Sequence, residues 1–150
     1  MVDRSHDRAN EESRAELAEL VAALTTPQLE ADLGEGWSTL SHLAHLGFWD
    51  RWQAERWRRV LAGSWTADEA SILLADELTD EALEPYWAAM ASADLPKLAL
   101  DAAADVDALI AGAPDALVAQ LLEGPNQFLL HRHRHRRDHL GWINRDLGLA

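Results

Sequence analysis

The stretch from Gln127 to Asp146, QFLLHRHRHRRDHLGWINRD, places His131, His133, His135 and His139 within nine residues. On an α-helix, side chains three and four positions apart share a face, so His131, His135 and His139 form one line. Phe128 precedes that line, and Trp142 and Ile143 extend it, which marks it as apolar and inward-facing. His133 falls on another side among Arg132, Arg134, Arg136 and Arg137, where water is the expected neighbour and the arginines pair with an acidic surface. A histidine on a buried stripe has two ring nitrogens to satisfy away from solvent. A metal satisfies one and a hydrogen-bond acceptor the other, so buried histidines at i, i+4 are metal-site candidates.

Working outward, the segment Thr39–Leu61, TLSHLAHLGFWDRWQAERWRRVL, reads as a long second helix with Ser38 as its N-cap. His42, His45, Trp49, Trp52 and Arg56 follow at steps of three or four, which sets His45 on a face with large aromatics and makes Trp49 and Trp52 candidates for lining a ligand pocket. Asp50 is read as an ion-pair partner of the neighbouring Arg51 and Arg56 rather than a ligand. Asp7–Leu24 reads as a first helix, on Ala15, Leu17, Leu20, Val21 and Leu24, with Glu11, Glu12 and Glu16 favouring its N-terminal half. Residues 28–37 carry two glycines and no sustained period and are expected to be a loop. Thr66 with Glu69 forms a capping-box pattern opening EASILLADEL, and LEPYWAAMASA suggests another short helix near Tyr86 and Trp87. Pro96–Ile110 reads as a third long helix ending at Gly112, and DALVAQLLE as a helical piece after Pro114. The histidine helix is expected to start near Asn126. With no alternating strand pattern of useful length, the chain is expected to be all-α, a single four-helix-bundle domain over residues 1–150 with short extra helices between helices two and three.

Composition narrows the function. The 150 residues suffice for one domain with one core. No apolar run approaches the roughly 18 to 20 residues that cross a bilayer, and the N-terminus lacks the apolar core of a signal peptide, so a cytoplasmic protein is expected. There is no cysteine, so any metal must be held by His, Asp or Glu. A formal charge of −13 argues against nucleic acid or an anionic membrane as partner. If helix two faces the last helix across the core, His45 comes opposite His135 and His139. Three imidazoles leave coordination positions open for water or substrate, as in catalytic sites.

These segments resemble a known family. GWSTLSHLAHLGFWDRW, in which His45 follows Trp37 by eight places, is similar to the second-helix signature of the DinB-like superfamily, and HRRDHLGWI resembles its last-helix His-x-x-x-His segment. The resemblance implies an up-down-down-up four-helix bundle, often a homodimer, whose three histidines bind a divalent cation such as nickel or zinc. Carried over position by position, the ligands are His45, His135 and His139. His42 and His131 each stand one helical turn or less from a member of that set, and a rotation of helix two would exchange His45 for His42. The superfamily includes enzymes that use low-molecular-weight thiols such as mycothiol or bacillithiol as cosubstrate, and members related to mycothiol-dependent maleylpyruvate isomerase. Some of those isomerases carry a glutamate ligand in the last helix, where this chain has histidine at both positions. The resemblance therefore implies a metal-dependent thiol S-transferase or related hydrolase acting on a small molecule. The alternative is a small-molecule binding or sequestering protein of stress or self-resistance type, without turnover.

Overall fold

A computed structural model describes residues 2–66, 68 and 94–149. Among them are six α-helices, α1 (Ser5–Ala23), α2 (Thr26–Leu29), α3 (Thr39–Leu61), α4 (Leu95–Ala111), α5 (Asp115–Glu123) and α6 (Arg132–Leu147). Between α2 and α3 lies an antiparallel hairpin of β1 (Asp32–Gly34) and β2 (Trp37–Ser38). A 3-10 turn, Gln127–Leu129, precedes α6.

The expected all-α four-helix bundle with extra helices between helices two and three is corrected by this hairpin. The fold is mostly helical rather than all-α, and the insertion between α2 and α3 is a two-stranded antiparallel ribbon. The reason is local. Gly34, Glu35 and Gly36 all take positive φ, at 97°, 53° and 83°. Glycine adopts that region without penalty, and two glycines around one strained residue reverse the chain in three positions. Strands of three and two residues are too short to show alternation, which is why the segment reads as a loop. The short helices read over residues 69–78 and 83–93 lie outside the described residues.

The four long helices pack in a cycle: α3 on α4, α4 on α1, α1 on α6 and α6 on α3. One core cluster joins all four through Leu17, Leu20, Leu43, Leu46, Ala99, Ala103, Leu140 and Ile143. A second gathers Ala54, Trp57, Val106, Ile110, Val118, Leu121, Leu129 and Leu130. Close approach of α3 to α4 depends on Gly47, because a Cβ there would lie 3.1 Å from Ala99 Cα. The α3 N-terminus is fixed by Ser38, whose Oγ accepts the Ser41 N–H while Ser41 Oγ accepts the Ser38 N–H. That cap sets the phase at which His42 and His45 leave the helix. No helix among the described residues is long and apolar enough to cross a membrane.

Candidate metal centre

The α6 helix begins at Arg132, with His131 at its N-cap position. This removes His131 from the expected line of three. Its ring stands 5.9 Å from that of His6 instead. The buried residues of α6 are Arg132, Arg136, His139, Leu140 and Ile143, while Trp142 is 42% exposed. The inward face is thus rotated toward Arg132 and Arg136, two residues the sequence places in water.

What admits two arginines to the interior is Asp50, which is fully buried. Arg132 Nε donates to Asp50 Oδ1 at 2.7 Å and Arg136 Nε to Asp50 Oδ2 at 2.8 Å. Arg136 also grips Asp107 through both terminal nitrogens at 2.9 Å, and it donates to the backbone oxygens of Asn10 and Ala103. Burial pushes the Asp107 carboxyl up against the opposing pull of Arg136. Asp50 therefore does not serve the nearby Arg51 and Arg56 pairing expected from spacing. It lies on the Leu46–Ala54 stripe of α3, and the i, i+4 arginine pair of α6 meets it there. A lone acid on an apolar stripe facing a helix with arginines four apart was the signal for this network.

Arg132 links the network to the histidines, its Nη2 donating to His135 Nδ1 at 3.1 Å. His135 Nε2 in turn lies 3.1 Å from His45 Nε2, and His139 Nδ1 lies 2.8 Å from His42 Nδ1. Each histidine of the set offers a ligand atom within 4.8 Å of the other two. His45 and His139 are buried at 5% and 4% exposure, and His135 is half-buried. Ring centroids stand 4.5 Å apart for His45 and His139, 4.8 Å for His135 and His139, and 5.1 Å for His45 and His135. His42 does not replace His45. It reaches the group from one turn earlier as a partner of His139.

Burial and the neighbouring His45 hold the His42 imidazole down at about 4, against a weaker upward pull from Asp146. Burial, with His135, His45 and His42 beside it, keeps His139 far below the ordinary imidazole value. Burial, Arg132 and His45 do the same for His135. These rings are neutral at neutral pH, and a neutral imidazole is the form that ligates a metal.

The donor set passes a simple test of fit. Two ligands at about 2.0–2.1 Å from an octahedral or tetrahedral ion stand about 2.8 to 3.4 Å from each other, a range that includes the 3.1 Å between His45 Nε2 and His135 Nε2. The His139 ligand atom lies within 4.8 Å of both. A buried cluster of three histidines capable of coordinating a metal ion is present.

A cavity of about 660 Å³ opens onto the four histidines, with Trp37, Trp142, Glu35, Arg145 and Asp146 also on its walls. Trp37 arrives from β2, its ring 4.9 Å from His42 and 5.5 Å from His45. Trp142 packs edge-on to His139 at 4.7 Å. Of the tryptophans singled out by spacing, Trp49 lies edge-on 6.2 Å from His45, and Trp52 is 40% exposed and stacks on Phe48 at 5.8 Å. The hairpin, invisible as such in the sequence, is what brings Trp37 to the site. No protein-family model, curated protein or solved structure matches this chain.

Proposed function

We propose that this chain is a metal-dependent protein of DinB-like type, in which His45, His135 and His139 hold one divalent ion such as nickel or zinc. We infer further that it acts on a small molecule with a low-molecular-weight thiol such as mycothiol or bacillithiol, as an S-transferase or related hydrolase. The observation that carries the metal reading is the convergence of three imidazoles from α3 and α6 at the floor of an open cavity. The thiol reading rests on the resemblance of the two histidine segments. An ion held there would favour the thiolate of a bound thiol at neutral pH, which a chain without cysteine must obtain from outside.

The surrounding side chains have separate tasks in this reading. His42 orients the His139 ring through its Nδ1. Arg132, itself held by Asp50, steadies the His135 ring through Nδ1, a contact that would open when the ring's proton moves to Nδ1 and frees the Nε2 lone pair for a metal. Trp37 and Trp142 supply apolar walls for the body of a substrate, and His45, His135 and His139 line the same cavity, so an ion held by them would be reachable from it.

Two assays test the proposal in sequence. Untagged protein is expected to carry close to one divalent ion per chain and His139→Ala to lose it. Incubation with mycothiol or bacillithiol and a small electrophile is then expected to give a thioether or hydrolysed product that depends on the same histidine. Saturable binding of small molecules without conversion would replace the enzyme by a sequestering protein, and absence of stoichiometric metal would remove both the ion and the thiol chemistry.

A further inference from the structure

The contacts around His135 fix where its proton sits. Arg132 Nη2 stands 3.1 Å from His135 Nδ1. A guanidinium only donates, so Nδ1 offers its lone pair and the single ring proton of His135 is on Nε2. That proton points at His45 Nε2, 3.1 Å away, which accepts it, so His45 carries its own proton on Nδ1. One proton thus fills the space between the two Nε2 atoms that face each other across the triad. His139 is under no such constraint. Its Nδ1 faces His42 Nδ1 at 2.8 Å and can carry its proton there, which leaves its Nε2 bare.

Ligation through His135 Nε2 needs the opposite tautomer, with the proton on Nδ1. That N–H would meet the Arg132 N–H donor against donor, so the Arg132 contact and ligation at Nε2 exclude one another. Arg132 is anchored where it makes the contact: its Nε donates to Asp50 Oδ1 at 2.7 Å, and its side chain is 10% exposed. Asp50 is held in turn by Arg136, whose Nε donates to Oδ2 at 2.8 Å. The carboxylate therefore keeps a cationic partner when Arg132 is replaced, and no buried acid is stranded.

We propose that Arg132 is a latch on the triad, holding His135 in the tautomer that does not ligate and so setting how tightly the site takes a divalent ion. The latch rests on the reading of His45, His135 and His139 as the ligands. The observed affinity is the intrinsic one reduced by the fraction of chains in which Arg132 has released the ring. A hydrogen bond from a charged donor shifts such an equilibrium by roughly ten- to a hundredfold. Asp50 shares the guanidinium with His135. Loss of the Asp50 charge throws Arg132 onto His135, whereas loss of Arg132 frees the ring, so the two halves of one ion pair act on ion affinity with opposite signs.

Zinc titration of chelator-stripped, untagged full-length chains against a competing chromophoric chelator tests this. Arg132→Met and Arg132→Gln are expected to bind zinc about tenfold or more tightly than the wild type even as they lose stability in urea, while Asp50→Asn binds it more weakly. An Arg132 that only supported the fold would weaken zinc binding on removal. Long-range proton–nitrogen correlation spectra of the wild type need no variant: the His135 proton is expected on Nε2 in chelator and on Nδ1 with zinc. A wild type that takes up zinc through the three histidines, with Arg132→Met and Arg132→Gln binding no more tightly, would overturn the latch and leave the triad standing. A His135 proton on Nδ1 in chelator would overturn it as well. Zinc bound by both Arg132 variants and not by the wild type would uphold the latch, and zinc bound by none of the chains at saturation would remove triad and latch together.

Discussion

Replacing Asp50 by Asn tests the buried charge network and its hold on the histidines at once. The substitution is nearly isosteric and keeps one acceptor oxygen, so it removes charge with little change of volume. The Asp50 and Arg136 side chains are fully buried, and that of Arg132 is 10% exposed. Arg136 retains its paired contact with Asp107, whereas Arg132 loses its carboxylate partner and is left leaning on His135 alone. Breaking a buried ion pair by removing one partner costs about 3 to 5 kcal/mol, because an uncompensated charge stays inside. For a chain of this size that corresponds to a fall in melting temperature of roughly 6 to 20 °C. The matched control is Glu16→Gln, which breaks the exposed pair with Arg137 and is expected to cost no more than about 1 kcal/mol. Urea melts of both variants give the comparison, and zinc titrations of Asp50→Asn are expected to show weakened binding as the His135 orientation loosens. Equal costs for the two variants would refute the network as the reason arginines sit in the core.

Four further outcomes follow from the same geometry. Gly47→Ala is expected to destabilise by about 1 to 3 kcal/mol, since a Cβ 3.1 Å from Ala99 Cα forces α3 and α4 apart. Gly141→Ala, with nothing near its Cβ, is expected to stabilise α6 by about 0.5 to 1 kcal/mol, and denaturant melts read both signs. Because the His42 value is lowered to about 4, the unfolded chain takes up its proton first as pH falls below about 6.5. The stability it contributes is thus complete above that pH and lost on the way down to about 4. Melts in chelator at about pH 7 and pH 4.5 are expected to show His42→Gln losing less stability on acidification than the wild type, by on the order of 2 kcal/mol. Finally, a ligand that binds only the folded chain raises its stability by about 2.7 kcal/mol at a hundredfold excess over its Kd. Added zinc or nickel is expected to raise the melting temperature of the wild type, with a smaller rise in His139→Ala.

What could be read in advance follows the range of the interactions. The span of α3 was legible because a Ser cap, a helical period and a glycine stop are all local. His135 and His139 were legible for the same reason. The rotation of α6 was not, because whether an arginine faces water or core depends on a carboxylate 86 residues away. Apolar periodicity counts Arg132 and Arg136 as surface, and only Asp50 on the opposing stripe reverses that. The hairpin escaped notice because its strands are shorter than the period that identifies a strand, so the arrival of Trp37 over the histidines could not be foreseen. His131 was misplaced by a change of helix type: a 3-10 turn over Gln127–Leu129 delays the α-helix to Arg132 and turns that ring toward His6.

X-ray absorption or crystallography of the nickel- or zinc-loaded chain bears most directly on the triad. The expected result is one ion with three imidazole nitrogens at about 2.0 to 2.2 Å, assigned to His45, His135 and His139, and lighter ligands from solvent completing the shell. An ion coordinated without His45, or no ion within reach of α3 and α6 at saturating metal, would contradict it.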